Sequence, residues 1–340
     1  MNGKSSSVAP KTGMRAGRLR RSPSLNPVSG TPLPSHEIPV TSRRVDVILA
    51  MIRLARPEQW IKNVIVVMPV IFGGRMQDLS AWVTVALAAV AFSFASGAVY
   101  VMNDAVDRER DRNHPQKCKR PLAAGIISLK LAAAEGLTLL LMSSLLALAI
   151  SPSVVGIILT YVVLQSAYSL RLKHRVIVDV MCIAIGFVLR AAAGALAIHV
   201  EVSPWLVICT FTMCLFMGFC KRRSEIATLQ NGGEDGKHRR TLDTYNPEVL
   251  THLTTLSAAV AVISYFLYAT SPRTVEHFGM WILILNSPAV VYGVFRFALM
   301  SIQGRYPGPT ELILHDRPFQ ASALCWIVSV CVGLLWLGQL

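Results

Sequence analysis

Three aspartates lie close together just after a long apolar stretch of the chain. Residues 79–102 carry no charge and are long enough to cross a bilayer, and Asp104, Asp107 and Asp111 follow them. At helical spacing, Asn103 shares one face with Asp107 and Asp111. Carboxylates four residues apart are suited to Mg²⁺, and the basic residues of 108–120 are suited to phosphates that Mg²⁺ bridges. The pattern indicates metal-dependent phosphate chemistry; the alternative is an ordinary charged loop between two membrane helices.

A second polar region lies between two later apolar stretches. Tyr168 is near the end of one stretch, Lys173 and Arg175 lie in the short basic segment that follows, and Asp179 lies just inside the next stretch. A carboxylate within a membrane segment is costly unless it faces a partner, water or a metal ion. Asp179 is therefore a candidate for the same site. Alternatively, it forms a salt bridge with Lys173 or Arg175 at a helix start, where negative charge is favourable.

Arg190 lies in the middle of an apolar stretch, among alanines and Gly194. Because an arginine in lipid costs several kcal/mol, we expect it to face a polar cavity or an acid, or to pair structurally across a helix bundle. Earlier in the chain, Gln59, Lys62 and Asn63 place polar groups about one helical turn apart. Lys62 either contacts a phosphate or extends to the membrane interface.

A further basic group, Lys221, Arg222 and Arg223 with Glu225, ends another apolar stretch. Cations are favourable at any helix C-terminus, so this group is a weak signal by itself. The sequence contains no GxxxxGK[ST] phosphate loop, no HExxH and no recognisable Ser/His/Asp arrangement. None of the seven cysteines belongs to a CxxC pair or to a Cys/His cluster with zinc spacing.

The composition is that of a membrane protein with several spans. Of the 340 residues, 53% are hydrophobic and only 15% are charged, against about 25% charged in an average soluble protein. The net charge of +14 is typical of cytoplasmic loops. Since the aromatic residues lie in the apolar stretches and do not alternate with the basic ones, we do not expect a nucleic-acid partner.

Hydropathy predicts an all-α polytopic fold with about nine transmembrane helices. The predicted spans are 47–73, 79–102, 128–149, 153–170, 176–198, 203–220, 249–270, 277–299 and 319–340. The first is interrupted by Arg53, Arg56, Pro57 and Lys62, and is expected to enter as an interfacial helix and to kink at Pro57. Basic residues concentrate in alternate loops, and the other loops contain only Arg75 and Arg273. This asymmetry predicts a cytoplasmic N-terminus, cytoplasmic acidic clusters and an outward C-terminus. Residues 1–44 are rich in Ser, Pro, Gly and basic residues, and are predicted to be a disordered cytoplasmic tail that touches anionic lipid.

From about residue 45 onward, the chain resembles the UbiA superfamily of intramembrane prenyltransferases. The resemblance rests on the pattern NDxxDxxxD at 103–111, on Tyr168, Lys173 and Asp179, and on the predicted nine helices. It implies a helical bundle around a central cavity that opens to the cytoplasm, in residues 45–340. The chain departs from the usual pattern because Ile183 stands where a second acid is expected after Asp179.

Three motifs resemble those of the decaprenyl-phosphate phosphoribosyltransferase branch of that family: RPxQWxKN at 56–63, HPxKxxRP at 114–121 and KRxxE at 221–225. The resemblance implies transfer of 5-phosphoribosyl from phosphoribosyl pyrophosphate (PRPP) to a polyprenyl phosphate, in a bacterial-type plasma membrane. A homo-oligomer is an open question. Two alternatives remain: prenyl transfer from a prenyl diphosphate to an aromatic acceptor, which the missing acid at 183 disfavours, and a membrane transporter, which the one-sided clustering of acids disfavours.

The same resemblance implies roles for individual residues. Mg²⁺ would be held by Asp104, Asp107 and Asp111. Catalysis would involve Asp104, Asp107, Asp179 and Lys173. Substrate contacts are expected from Gln59, Lys62, Asn63, Asn103, His114, Lys117, Lys119, Arg120, Tyr168, Arg190, Lys221, Arg222 and Glu225.

Overall fold

The computed structural model describes residues 40–230, 245–278, 280–306 and 308–337, and this part of the chain is helical without strands. The α-helices are α1 (Val40–Ala55), α2 (Met68–Phe72), α3 (Leu79–Val106), α4 (Arg108–Arg112), α5 (Leu129–Ile150), α6 (Pro152–Leu170), α7 (Val178–Ala197), α8 (Pro204–Gln230), α9 (Pro247–Ala269), α10 (Pro272–Phe278), α11 (Met280–Leu285), α12 (Ser287–Ile302), α13 (Pro309–His315) and α14 (Arg317–Leu337). Three 3₁₀ helices connect them at Pro57–Val67, Lys117–Lys119 and Leu172–His174. Helix α1 includes residues 40–44 of the predicted tail, and residues 1–39 lie outside the described residues.

Six helices in the described part are long and apolar enough to cross a membrane. They are α3, with its continuation α4, and α5 to α9, and they correspond to six of the nine predicted spans. The predicted span at 47–73 is instead divided into α1, a 3₁₀ helix and α2. The span predicted at 277–299 is divided between α11 and α12, because the chain turns at Asn286 just before Pro288. The predicted all-α, multi-span architecture is confirmed, and the predicted count of nine is not.

Polar caps determine where the long helices begin. The Asp78 carboxylate accepts hydrogen bonds from the backbone N–H groups of Ser80 and Ala81 at the start of α3. Ser128 caps α5, and Ser151 caps α6 just before Pro152. Such caps satisfy N–H groups that have no partner within the helix, and proline at the first position lacks that N–H altogether.

The centre of the bundle is packed with small residues. Ala88, Ala91 and Ala95 of α3 are fully buried together with Phe92. Small side chains let neighbouring helices approach closely, and the Ser143 hydroxyl of α5 donates a hydrogen bond to the carbonyl oxygen of Ala91 at 2.7 Å. A second core, around Phe216 and Phe297, joins α8, α9 and α12.

The 3₁₀ helix at Pro57–Val67 is the least regular part of the bundle, since 3₁₀ runs longer than three or four residues are uncommon. Arg56 precedes it with a positive φ of 52°, a left-handed conformation that ends α1. Gly194 of α7 lies against the carbonyl oxygen of Val66, where a β-carbon would clash. The 3₁₀ helix is therefore held close to α7 by a position that accepts only glycine.

Candidate functional site

The first acidic cluster lies at the end of α3 and in α4, and two of its carboxylates share one cation, Arg120. Arg56 and Arg120 contact the same oxygen of Asp104, at 2.5 Å and 3.1 Å. The Arg120 guanidinium also contacts Asp111 at 2.7 Å. Both aspartates are buried, at 3% and 4% exposure. The structure thus brings Asp104, Asp111 and Arg120 together, and adds Arg56 from the end of α1.

Asp107, between these two acids in the sequence, contacts the second polar region. The Lys173 ammonium donates to both of its carboxylate oxygens, at 2.7 Å and 2.8 Å. Lys173 is only 5% exposed, and its 3₁₀ turn follows α6. The pair therefore connects the two regions that the sequence singled out, across 66 positions. Asn103 lies half-buried beside it, and its carbonyl oxygen accepts a hydrogen bond from the backbone of Asp107.

Asp179 lies apart from this cluster in a network of its own. One carboxylate oxygen accepts from the Arg222 guanidinium at 2.9 Å, and the other accepts from the Tyr245 hydroxyl at 3.0 Å. Arg222 also contacts Glu225 at 2.7 Å. Asp179 is fully buried. Its salt-bridge partner is thus Arg222 of α8. The alternative that the sequence offered, a salt bridge to Lys173 or Arg175, considered only residues nearby in the chain, and local spacing does not reveal neighbours on other helices.

The turn before Asp179 is strained. Ile177 has a φ of 67° and a ψ of −48°, and Val178 N–H donates to the Val176 carbonyl oxygen at 2.8 Å. This is a classic γ-turn, which is rare and unfavourable for a β-branched residue. The Tyr245 hydroxyl accepts a hydrogen bond from the Ile177 N–H at 2.6 Å. Tyr245 therefore holds both the turn and the carboxylate that follows it.

Arg190 is buried in the middle of the bundle, at 5% exposure, and its hydrogen-bond partners are neutral. It donates to the Asn63 side-chain oxygen at 2.7 Å, the Tyr161 hydroxyl at 2.8 Å and the Gly186 carbonyl oxygen at 2.9 Å. The rings of Tyr161 and Phe92 lie 4.6 Å and 5.5 Å from its guanidinium carbon. These contacts join α7, α6, α3 and the 3₁₀ helix at Pro57–Val67. Of the alternatives that the sequence left open for Arg190, the structure shows structural pairing across the bundle, with neutral hydrogen-bond partners.

The remaining predicted residues surround these networks. Gln59 is half-buried and Lys62 is exposed, and the charged groups that act on Lys62 are Lys221, Arg190 and Arg56. Tyr168 is close enough to Arg222 to act on its charge. Lys221 is 3.9 Å from Glu225 and 53% exposed.

The basic loop after α4 is mostly exposed. His114 Nδ1 accepts hydrogen bonds from the backbone N–H groups of Gln116 and Lys117, which makes it a loop-stabilising residue in this structure. Burial, followed by repulsion from Arg120, lowers the pKa of Lys117. Lys119 is exposed. The loop thus presents its lysines outward, and among the predicted cations of this loop Arg120 is the one that contacts the acids.

A cavity of about 490 Å³ lies within the bundle. Its lining is largely apolar and aromatic, and includes Ile65, Met68, Phe72, Met213, Tyr265 and Trp326. Cys214, which also lines it, lies near enough to Arg190 to interact with its charge. The cavity therefore lies near Arg190, and its own charged lining residues are Glu201 and Arg273, which form an ion pair at 3.0 Å.

The metal-binding capacity of the acids can be judged from their donor atoms and their partners. Within the described ranges, no group of three acidic, histidine or cysteine residues is arranged to hold an ion, because cations lie between the aspartates. The carboxylates are nevertheless the hard oxygen ligands that Mg²⁺ prefers. The donor set of Asp104, Asp107 and Asp111 therefore fits Mg²⁺, provided that Arg120 and Lys173 turn away from the carboxylates.

Sequence reasoning missed three residues of these networks: Arg56, Tyr161 and Tyr245. Arg56 had a signal, since it begins the RPxQWxKN run, but its position near a predicted helix kink suggested a break in the apolar stretch. Tyr161 lies within an apolar helix, and Tyr245 lies in a polar loop, so neither has a local pattern that distinguishes it.

Known proteins resemble this chain in sequence and in fold. A model of the UbiA prenyltransferase family matches residues 65–307. The decaprenyl-phosphate phosphoribosyltransferase of Corynebacterium glutamicum is 32% identical over 289 residues, which are 83% of this chain and 86% of that protein. The protein of the same name from Mycobacterium tuberculosis is 31% identical over 295 residues, 86% and 96% of the two chains.

The fold has solved counterparts. A UbiA homolog from Archaeoglobus fulgidus, bound to GPP and Mg²⁺, superposes with a TM-score of 0.62 at 20% identity and covers 84% of this chain and 98% of its own. At this identity the likeness concerns the fold alone. The family match over residues 65–307 and the relatives at 31–32% identity show that the chain belongs to the UbiA prenyltransferase family.

Proposed function

We propose that the protein transfers 5-phosphoribosyl from PRPP to a polyprenyl phosphate and releases pyrophosphate. The observation that carries this proposal is the meeting of three carboxylates with Arg56, Arg120 and Lys173 beside a bundle that contains an apolar cavity. The named relatives, decaprenyl-phosphate phosphoribosyltransferases at 31–32% identity, support the same assignment.

The donor would bind at the first acidic cluster. Mg²⁺, held by Asp104, Asp107 and Asp111, would neutralise charge on the leaving pyrophosphate. Arg120 and Lys173 would then exchange their carboxylate contacts for phosphate oxygens, which suit charge-assisted hydrogen bonds equally well. Lys117 and Lys119, on the exposed loop, would bind the 5-phosphate of the ribose.

The chemistry at the ribose needs little from the protein beyond charge and position. Departure of pyrophosphate leaves positive charge on C1 and the ring oxygen, as in other glycosyl transfers. The acceptor phosphate is already anionic, so its oxygen attacks C1 without a strong general base. His114 is not needed as a base in this scheme, and its Nδ1 already accepts a hydrogen bond from the backbone of its own loop.

Asp179, which the resemblance placed among the catalytic residues, would have a positioning role instead. Both of its oxygens are bound by protein donors, so it acts by holding Arg222 and the turn at Ile177 in place. Arg222, Glu225 and Tyr168 would then form the wall beside the donor. The N-terminus and the acidic clusters would face the cytoplasm, where PRPP is made, and the C-terminus would face outward.

The test is a transfer assay with purified protein, Mg²⁺, PRPP labelled in its ribose, and a polyprenyl phosphate. Label that enters the lipid phase and is lost with EDTA supports the proposal. Absence of transfer, combined with turnover of a prenyl diphosphate and an aromatic acid, would assign the chain to aromatic prenyl transfer instead.

A further inference from the structure

The long 3₁₀ helix at Pro57–Val67 divides its side chains into three faces. In a 3₁₀ helix, residues three apart lie directly above one another, so one face continues straight along the axis. An α-helix would rotate the same residues progressively around its surface. We name one of these faces, with the residues that flank the helix, the polar-to-apolar row: it consists of Arg56, Gln59, Lys62, Ile65 and Met68.

The other two faces are accounted for. Ile61 and Val64 are exposed, at 71% and 47%, on the outer side of the bundle. Asn63 and Val66 are buried: Asn63 donates to the Ser93 hydroxyl of α3 at 2.9 Å, and Val66 lies against Gly194. The polar-to-apolar row lies on the remaining side, where its members are half-buried or, for Lys62, accessible to solvent.

The first part of the row is positively charged and lies next to the acidic cluster. Arg56 contacts Asp104 at 2.5 Å. Three cations, Lys221 of α8, Arg190 of α7 and Arg56, lie near enough to Lys62 for their charges to act on it. Lys62 shares its face with Ile65 and Met68, which line the cavity, so it lies on the inner side of the bundle. An accessible ammonium surrounded by cations attracts an anion.

The second part of the row is apolar. Ile65 and Met68 line the cavity of about 490 Å³, together with aromatic residues such as Tyr265 and Trp326. Ile65 is one 3₁₀ turn beyond Lys62, a distance of about 6 Å along the axis. One straight face therefore presents a cation and then, a turn later, an apolar wall.

We propose that the polar-to-apolar row binds the acceptor lipid, with Lys62 donating hydrogen bonds to its phosphate and with Ile65 and Met68 contacting its first isoprenoid units. This rests on the proposed function, and it assigns donor and acceptor phosphates to different cations. Lys173 and Arg120 serve the donor, and Lys62 serves the acceptor. Arg56, at the junction, contacts the acidic cluster from the same row. Arg190 positions the row through its hydrogen bond to Asn63.

Direct binding to the full chain tests this assignment. The probe is farnesyl phosphate, and farnesol is the matched ligand without phosphate; affinity is measured calorimetrically in detergent. Lys62→Gln should weaken farnesyl phosphate binding about tenfold or more, as expected for loss of a charge-assisted hydrogen bond, and should leave farnesol binding unchanged. Met68→Ala should weaken both ligands. Ile61→Ala, on the outer face, is the control and should change neither.

The KM values for the two substrates distinguish the role of the polar-to-apolar row from the proposed function as a whole. In Lys62→Gln, KM for the acceptor should rise about tenfold while KM for PRPP stays within about twofold. The assignment of the polar-to-apolar row to the acceptor is wrong if Lys62→Gln binds farnesyl phosphate as tightly as the native chain does. It is also wrong if Lys62→Gln raises KM for PRPP instead, or if the native chain does not bind farnesyl phosphate. If the native chain binds farnesyl phosphate through Lys62 but transfers no phosphoribosyl group, lipid phosphate binding by the row is supported and the proposed function is wrong.

Discussion

Lys173 holds both carboxylate oxygens of Asp107, at 2.7 Å and 2.8 Å, and thereby joins the turn after α6 to the end of α3. The ammonium is almost completely buried, whereas Asp107 is 21% exposed. A cation enclosed beside an accessible carboxylate can move to an incoming anion without leaving the site. The pair thus supports a role for Lys173 in binding the donor.

Lys173→Met should therefore weaken PRPP binding more than acceptor binding. Loss of a charge-assisted hydrogen bond to phosphate predicts an increase of about tenfold or more in KM for PRPP. Steady-state kinetics with each substrate varied in turn measures the difference. Lys130→Met, an exposed lysine at the start of α5, is the matched control. Equal increases in both KM values would argue against a donor-specific role.

Asp107→Asn should remove most activity and leave a folded, membrane-inserted protein. The amide keeps the shape but loses the charge that binds Mg²⁺, so we expect a loss of more than about 100-fold in kcat/KM. Glu109→Gln, which is highly exposed two residues away, should be close to native. The Mg²⁺ assignment is wrong if the Asp107→Asn protein retains native activity.

Arg190→Lys should destabilise the bundle although the charge is kept. One ammonium cannot reach Asn63, Tyr161 and the Gly186 carbonyl as the planar guanidinium does. Loss of two such hydrogen bonds predicts a decrease of about 2–4 kcal/mol in the free energy of unfolding. Thermal unfolding in detergent measures it, and Arg305→Lys, in the loop before α13, provides the control. A native melting temperature would show that charge alone satisfies this site.

Tyr245→Phe removes one hydroxyl that serves two partners. Asp179 loses a donor, and the N–H of Ile177 loses its acceptor in the strained turn. We expect a decrease of about 1–3 kcal/mol in unfolding free energy, typical of a buried polar group left without a partner. In hydrogen exchange, the Ile177 amide should become less protected. Unaltered protection of that amide would mean that Tyr245 does not hold the turn.

Asp316 makes stability depend on pH at the last helix. The Arg296 guanidinium donates to Asp316 and lowers the pKa of its carboxyl below the ordinary value. Because the folded-state pKa is depressed, the stabilisation is present at neutral pH. It begins to fade near the ordinary value of about 4 and is lost as the pH falls through the folded-state pKa. Melting temperatures between about pH 3 and 7 should fall at low pH in the native protein.

In Asp316→Asn this component of the acid dependence should be reduced, because the titrating group is absent. Glu276→Gln, an exposed acid in α10, should retain it. A native acid dependence in Asp316→Asn would show that the carboxyl contributes nothing to it.

The parts of the fold that follow from local composition were predictable. Uninterrupted apolar runs between charged loops identify α3 and α5 to α9, since a run of about 20 such residues has few alternatives in lipid. The run at 47–73 was counted as one segment with a kink at Pro57, whereas the structure divides it into α1, a 3₁₀ helix and α2. Its hydropathy is that of a membrane segment, but Arg56, Pro57 and the close approach to Gly194 of α7 together favour a 3₁₀ helix.

The candidate site was predictable as a set of residues and not as a set of contacts. Asp104, Asp107 and Lys173 stand out by residue type in apolar surroundings. Their partners do not, because Arg56 lies 48 positions from Asp104 and Arg222 lies 43 positions from Asp179. Spacing describes neighbours on one helix, whereas these pairs depend on how separate helices pack.

The threefold repeat of the 3₁₀ helix makes chain length in this segment a constraint in its own right, in addition to residue identity. One residue inserted between Pro57 and Lys62 would turn the following side chains by about 120°. Lys62 would then leave the inner side of the bundle and point either toward α3 or toward the lipid. An insertion of three residues would restore the face and displace it by about 6 Å. Homologous chains should therefore differ in length across residues 57–67 by three residues or not at all.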